Sequence, residues 1–138
     1  MAKKPHALSD PLKILLIEDD PDDIDLFEYA LRINELLCNV VILEEGDQVL
    51  PYLTKNNERP DVVVLDLNLP KVHGKDILRQ IKLNEELQTI PVVILTTSSA
   101  QEDKEYCKQA GAADFLTKPT DLEGFKIMVS RIATLAVD

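Results

Sequence analysis

The sequence predicts an α/β fold: a five-stranded parallel sheet with helices on both faces. Short apolar runs alternate with segments of helical periodicity in the order βαβαβαβαβα, which the alternation rule converts into a parallel sheet. The clearest runs are unbroken, as strands buried on both faces are. Several stop abruptly at carboxylate, hydroxyl or lysine groups, and in an open sheet the crevice at the carboxyl ends of the strands is where ligands bind.

Residues 13–17, KILLI, form the first run, and Glu18, Asp19, Asp20, Pro21, Asp22 and Asp23 follow it. Asp20 suits an N-cap and Pro21 the first position of a helix whose apolar residues include Ile24, Phe27, Ala30 and Leu31. Acids complement a helix N-terminus, which accounts for some of the five carboxylates. Glu18 and Asp19 precede the cap, at the strand tip, and their mutual repulsion would be relieved by a cation.

Residues 39–43 read as the second strand and 46–55 as a short helix, with Asp47 near its cap and Pro51 in or just after its first turn. A polar loop over 56–60 leads to VVVL, residues 62–65, which ends at Asp66. A charge at the end of a buried strand is costly unless it meets water, a cation or donors. Asp66 is therefore placed for chemistry. Beyond Pro70 lies a loop with His73, read as a surface residue rather than a ligand or general acid, and then Ile77, Leu78, Ile81 and Leu87 mark a helix and its exit. Residues 90–95 form the fourth strand, ending in Thr96, Thr97, Ser98 and Ser99. A helix over 102–110 stops at Gly111, a C-cap signal. Residues 114–117 form the fifth strand, which runs into Lys118 and Pro119, and the last helix spans about 121–136.

A chain of 138 residues suits one domain with one core. Its 15 Lys and Arg against 25 Asp and Glu give a net charge of −10, which disfavours nucleic acid and anionic membranes and favours cations and basic partner patches. Cys38 and Cys107 lack metal or redox spacing and are expected as buried free thiols. No apolar run approaches a membrane span, and the first residues lack the apolar core of a signal peptide. The expected location is cytoplasmic.

If the strands take the common order 2-1-3-4-5, the first and third are neighbours at the switch point. Glu18, Asp19 and Asp66 then converge into a hard-oxygen site suited to Mg²⁺. Beside such an ion, Asp66 can attack phosphorus and form an acyl phosphate. Positioning and charge neutralisation drive most of such a transfer. The Thr96 hydroxyl and the Lys118 ammonium stand at the fourth and fifth strand ends to supply a hydrogen bond and a second positive clamp.

These motifs, ILLIEDDP, VVVLDLNLP, VVILTT and FLTKP in that order, resemble the receiver domain of two-component response regulators over nearly the whole chain. The resemblance implies a flavodoxin-like receiver fold, with Asp66 accepting a phosphoryl group from a sensor histidine kinase or a phosphotransfer protein. It implies Mg²⁺ ligation by Asp19, Asp66 and the main-chain carbonyl of Asn68, with Glu18 acting through water. Thr96 and Phe115 would form the switch, Thr97 the small-residue position beside it, and Pro119 a cis-proline that aims Lys118 inward. His73 stands where the family often has Asp. The acidic start and the stretch around NEELQTIPVVILTT are similar to small stand-alone receivers of the phytochrome-linked type. Such a chain is not an enzyme on a separate substrate; it catalyses only its own phosphorylation and dephosphorylation. No output domain is expected after the last helix, so the signal would pass to a protein partner or a second copy through the face of the fourth helix, fifth strand and fifth helix.

Other classes fit less well. A flavodoxin-type carrier needs a hydroxyl- and glycine-rich phosphate loop where this chain has EDDPDD, and a haloacid-dehalogenase-type phosphatase needs a second Asp where it has Asn68. A degenerate, interaction-only receiver is the remaining alternative; the sequence argues against it because no site residue is missing, and Mg²⁺ titration discriminates the two.

Overall fold

Val62, Val63, Val64 and Leu65 have no exposed surface at all, and they form the central strand β3 (Val62–Leu65). The computed structural model describes residues 11–55 and 59–137, so residues 1–10, the first three residues of the 56–60 loop and Asp138 lie outside the described residues. Around β3 stand β1 (Leu12–Ile17), β2 (Cys38–Leu43), β4 (Val92–Thr96) and β5 (Asp114–Thr117), all parallel, in the order β2-β1-β3-β4-β5. This is the order and architecture the sequence predicts.

Strand alternation divides the core in two. Ile14, Leu16, Val62, Val64, Val93 and Leu95 face α1 (Pro21–Ile33) and α5 (Leu122–Val137), whose Phe27 and Phe125 fill that layer. Leu15, Ile17, Val63, Leu65, Val92 and Ile94 face α2 (Val49–Lys55), α3 (Gly74–Leu83) and α4 (Gln101–Ala110). Each fully buried Leu, Ile or Phe contributes about 1.5–3 kcal/mol. A one-residue slip in register would turn both layers inside out.

The helix signals act as expected at both ends. The Asp20 side chain caps α1 by accepting from the Asp22 N–H at 2.9 Å, with Pro21 first in the helix. Gly111 ends α4 with a φ of 105°, a left-handed conformation that glycine adopts without steric cost. Two details differ. The segment with Pro51 opens as a 3-10 turn, Gly46–Gln48, before α2, and Pro51 then falls in the first helical turn, where its missing N–H would have had no partner. β4 begins at Val92 rather than residue 90, since Pro91 has no N–H to give the sheet; its carbonyl still accepts from Val63 at 2.9 Å. Cys38 and Cys107 are unpaired thiols, half-buried and buried respectively.

The first crossover runs from β1 outward to β2, and the next returns past β1 to β3. The chain leaves the β1 and β3 tips in opposite directions, which opens a crevice there.

Candidate functional site

Asp66 follows β3 directly and Glu18 follows β1, with Ile17 and Leu65 as paired neighbours beneath them. Their carboxylates therefore meet at the crevice, with Asp19 one residue farther out. Glu18 is 2% exposed and Asp66 6%, whereas Asp19 is open to solvent. Oxygen atoms of these three lie within 4.8 Å of one another. Such a donor set, hard oxygens on a rigid sheet end with one arm in water, fits a divalent cation that keeps part of its hydration shell.

The backbone orders this group. Glu18 Oε2 accepts from the N–H groups of Asp19 and Asp20, each at 3.2 Å, and Asp66 Oδ1 accepts from the Asn68 N–H at 3.2 Å. The loop after β3 folds back tightly: the Gly74 N–H donates to the Leu67 carbonyl at 2.8 Å. A Cβ on Gly74 would lie 2.5 Å from both the Asp66 carbonyl oxygen and Leu67 Cα, so only glycine fits there. His73 caps α3, its Nδ1 accepting from the Lys75 N–H at 3.1 Å, which is a structural role and agrees with the surface reading.

Lys118 supplies the positive charge. Its Nζ lies 2.7 Å from Glu18 Oε1, 2.9 Å from Asp23 Oδ2 and 3.2 Å from Asp66 Oδ2, with only 7% of the side chain exposed. Burial works to lower its pKa, but the Glu18, Asp23 and Asp66 carboxylates outweigh that and hold it above the ordinary lysine value. Burial also pushes the Glu18 carboxyl up to about 7, with help from Asp66 and against the pull of Lys118 and the Asp20 N–H.

The Lys118–Pro119 peptide bond is trans, since the described residues contain no cis peptide; Pro119 is not a cis-proline here. The lysine reaches the pocket without one, because its N–H continues the parallel ladder to the Thr96 carbonyl at 2.8 Å and its long side chain spans the rest. Thr96 is fully buried at the end of β4, and its Oγ1 accepts from the Ser98 N–H at 3.3 Å. Thr97 is exposed. Phe115 is half-buried against the α2–α4 layer. All four strand-end groups are thus brought to one end of the sheet.

A family model described as the response regulator receiver domain matches residues 14–130. The chain belongs to the response regulator receiver family. Among similar receivers, response regulator Rcp1 of Synechocystis sp. is 35% identical over 127 residues, which cover 88% of this chain and 86% of Rcp1. The probable methanogenesis regulatory protein FilR2 of Methanothrix harundinacea is 36% identical, covering 89% of this chain and 82% of its own. Among solved structures, the phosphorylated cyanobacterial phytochrome response regulator RcpA matches with a TM-score of 0.85 at 33% identity, over 94% of this chain and 96% of RcpA. The Mn(2+)-bound form of Rcp1 matches with a TM-score of 0.82 at 33% identity, over 93% and 96%. Phosphorylation on Asp and binding of Mg²⁺ or Mn²⁺ in the acidic pocket are general properties of receivers. Among the described residues, no helix is long and apolar enough to cross a membrane.

Two features of this receiver escaped the sequence reading. The sequence does not separate Asp23 from the other acids at the helix start, yet it contacts Lys118. The signal was in the helix phase: Asp23 lies four residues before the buried Phe27 and so on the inward stripe of α1, whereas Asp22 does not. The second is a cluster beside Thr96. The Ser98 hydroxyl donates to Asp103 Oδ2 at 2.6 Å, Asp103 pairs with Lys75, and the Lys75 ammonium sits 5.2 Å from the Tyr106 ring centre. These four residues tie the loop after β4 to α3 and α4.

Proposed function

We propose that this receiver is a single domain that takes a phosphoryl group on Asp66 from a sensor histidine kinase or a phosphotransfer protein. The observation that carries this reading is the position of Asp66: one oxygen at 3.2 Å from the Lys118 ammonium, the other oriented by the Asn68 N–H, at the mouth of the acidic crevice. An Asp66 oxygen attacks phosphorus, the donor's P–N bond breaks, and its electron pair goes to the imidazole nitrogen, which takes a proton from water. The product is an acyl phosphate on Asp66. Lys118 neutralises charge on the transferred group, and Thr96 offers a hydroxyl to one of its oxygens.

The metal we assign is Mg²⁺, which Asp19, Asp66 and the Asn68 carbonyl would hold directly and Glu18 through water. When bound it supplies charge neutralisation for the incoming phosphoryl oxygens. The protein acts on no separate substrate and catalyses only its own phosphorylation and dephosphorylation. A cytoplasmic location accords with that partner.

The output is a switch. A phosphoryl oxygen draws the Thr96 hydroxyl away from the Ser98 N–H, Phe115 turns toward the space this leaves, and the face of α4, β5 and α5 changes. That face carries Tyr106, 36% exposed, and Ile127, 70% exposed, which suits reversible contact with a second copy or the kinase. The name of RcpA, a phytochrome response regulator, makes a phytochrome-type kinase the first partner to try.

The test is labelling by acetyl phosphate and by candidate kinases with radiolabelled ATP. Wild-type protein should acquire acid-labile label that hydroxylamine removes and Asp66→Asn none, while both give the same circular dichroism. Undiminished label on the Asp66→Asn protein would place the phosphate elsewhere and overturn the assignment.

A further inference from the structure

Lys118 is shared among three carboxylates with different fates. Glu18 and Asp66 belong to the three-carboxylate group that fits a divalent cation, while Asp23, whose Oδ2 stands 2.9 Å from Lys118 Nζ, lies outside it. A cation among Glu18, Asp19 and Asp66 draws on the same oxygen lone pairs that hold the ammonium and also repels it. An ammonium on a side chain only 7% exposed cannot simply return to water, and a buried charge that loses its partners is strongly destabilised. Asp23 is the one partner whose charge the metal does not claim.

Its placement is rigid. Asp23 sits in the first turn of α1, fixed by the Asp20 cap and Pro21, on the stripe that continues into buried Phe27. We infer that Asp23 is a positioning residue for Lys118, anchoring the ammonium at the acceptor once the acidic pocket is filled. This deepens the acceptor reading of Asp66 and rests on it. Loss of the anchor leaves the acceptor and the metal-binding carboxylates intact but lets the lysine drift, and a small displacement of a charge-neutralising group slows transfer severely.

Asp22 provides the control, since it stands in the same helical turn with the same charge but is exposed to solvent. In ¹⁵N-lysine spectra, the Lys118 ammonium signal should persist on addition of Mg²⁺ in the wild type, in Asp22→Asn and in the charge-retaining Asp23→Glu, and should broaden or vanish in Asp23→Asn. Labelling of Asp23→Asn by acetyl phosphate with Mg²⁺ should fall by about tenfold, with Asp22→Asn near wild type. An Asp23→Asn protein that keeps the ammonium signal in Mg²⁺ overturns the inference, and so does an Asp22→Asn protein that loses as much. Failure of the wild type to take label would instead strike the acceptor reading, while the Mg²⁺ spectra still judge Asp23.

Discussion

The Lys118 ammonium and the Glu18 carboxylate stand 2.7 Å apart, with 7% and 2% of their side chains exposed. Burial raises the Glu18 carboxyl and the Asp66 charge adds to it, while the pairing with Lys118 offsets only part, so Glu18 keeps a pKa of about 7 against an ordinary 4.5.

Between those two values the native state holds a proton that the unfolded chain has released. Stability in metal-free buffer should therefore fall as pH rises across this window, by up to about 1.4 kcal/mol per pH unit from this one group. Urea melts in chelator at several pH values should show the slope in the wild type and a flatter profile in Glu18→Gln. The depressed pKa of Asp103, caused by Lys75 and Ser98, works with the opposite sign, but only below 3.8.

Mg²⁺ should remove this penalty. Binding to the native state alone stabilises by about 1.4 kcal/mol at ten times Kd, and the gain should grow with pH because a protonated Glu18 competes with the ion. Asp19→Asn should lose most of it. A melting midpoint unmoved by millimolar Mg²⁺ would contradict this.

The Ser98–Asp103–Lys75 cluster should restrain the loop that follows Thr96. The residue before α4 is Ala100, which offers no side-chain cap, so Asp103 is the main tie at that helix start. Asp103→Ala should cost about 1 kcal/mol for the lost hydrogen bonds and speed amide exchange at Ser98 and Ala100. Equal exchange in the two proteins would remove the cluster from the switch.

Beryllofluoride with Mg²⁺ imitates the acyl phosphate and should alter amide protection near Thr96, Tyr106 and Phe115. Light scattering under the same conditions reports whether a dimer forms, and Tyr106→Ala should then weaken it. Unchanged protection at all three residues would sink the switch even if Asp66 is phosphorylated.

How much of this was legible depended on whether a residue ends a run or sits inside an element. β1, β3 and β4 could be read because burial on both faces leaves unbroken apolar letters, and Glu18, Asp66 and Thr96 because each breaks such a run, whereas Lys118 follows the half-exposed β5 and stood out through its pairing with Pro119. The alternating exposure of edge strand β2 gives a weaker signal, and the strand begins at Cys38, one residue before the Asn39 that the sequence predicts. Asp23 looked the same as Asp22 until the phase of α1 against Phe27 was known. The Ser98, Asp103, Lys75 and Tyr106 contacts join three elements, and no local pattern encodes them. The peptide geometry at Pro119 was carried over from the family resemblance, and the structure has it trans.

Gly74 offers no charge, hydroxyl or ring, yet its missing side chain is what lets the loop close against the Asp66 carbonyl. A lineage could keep every acid and the lysine, exchange this one hydrogen for a methyl group, and lose the shape in which they meet. Comparison of descendants by their charged residues alone would count such a chain as competent. In this chain the shape of the acceptor pocket thus depends on a position without chemistry.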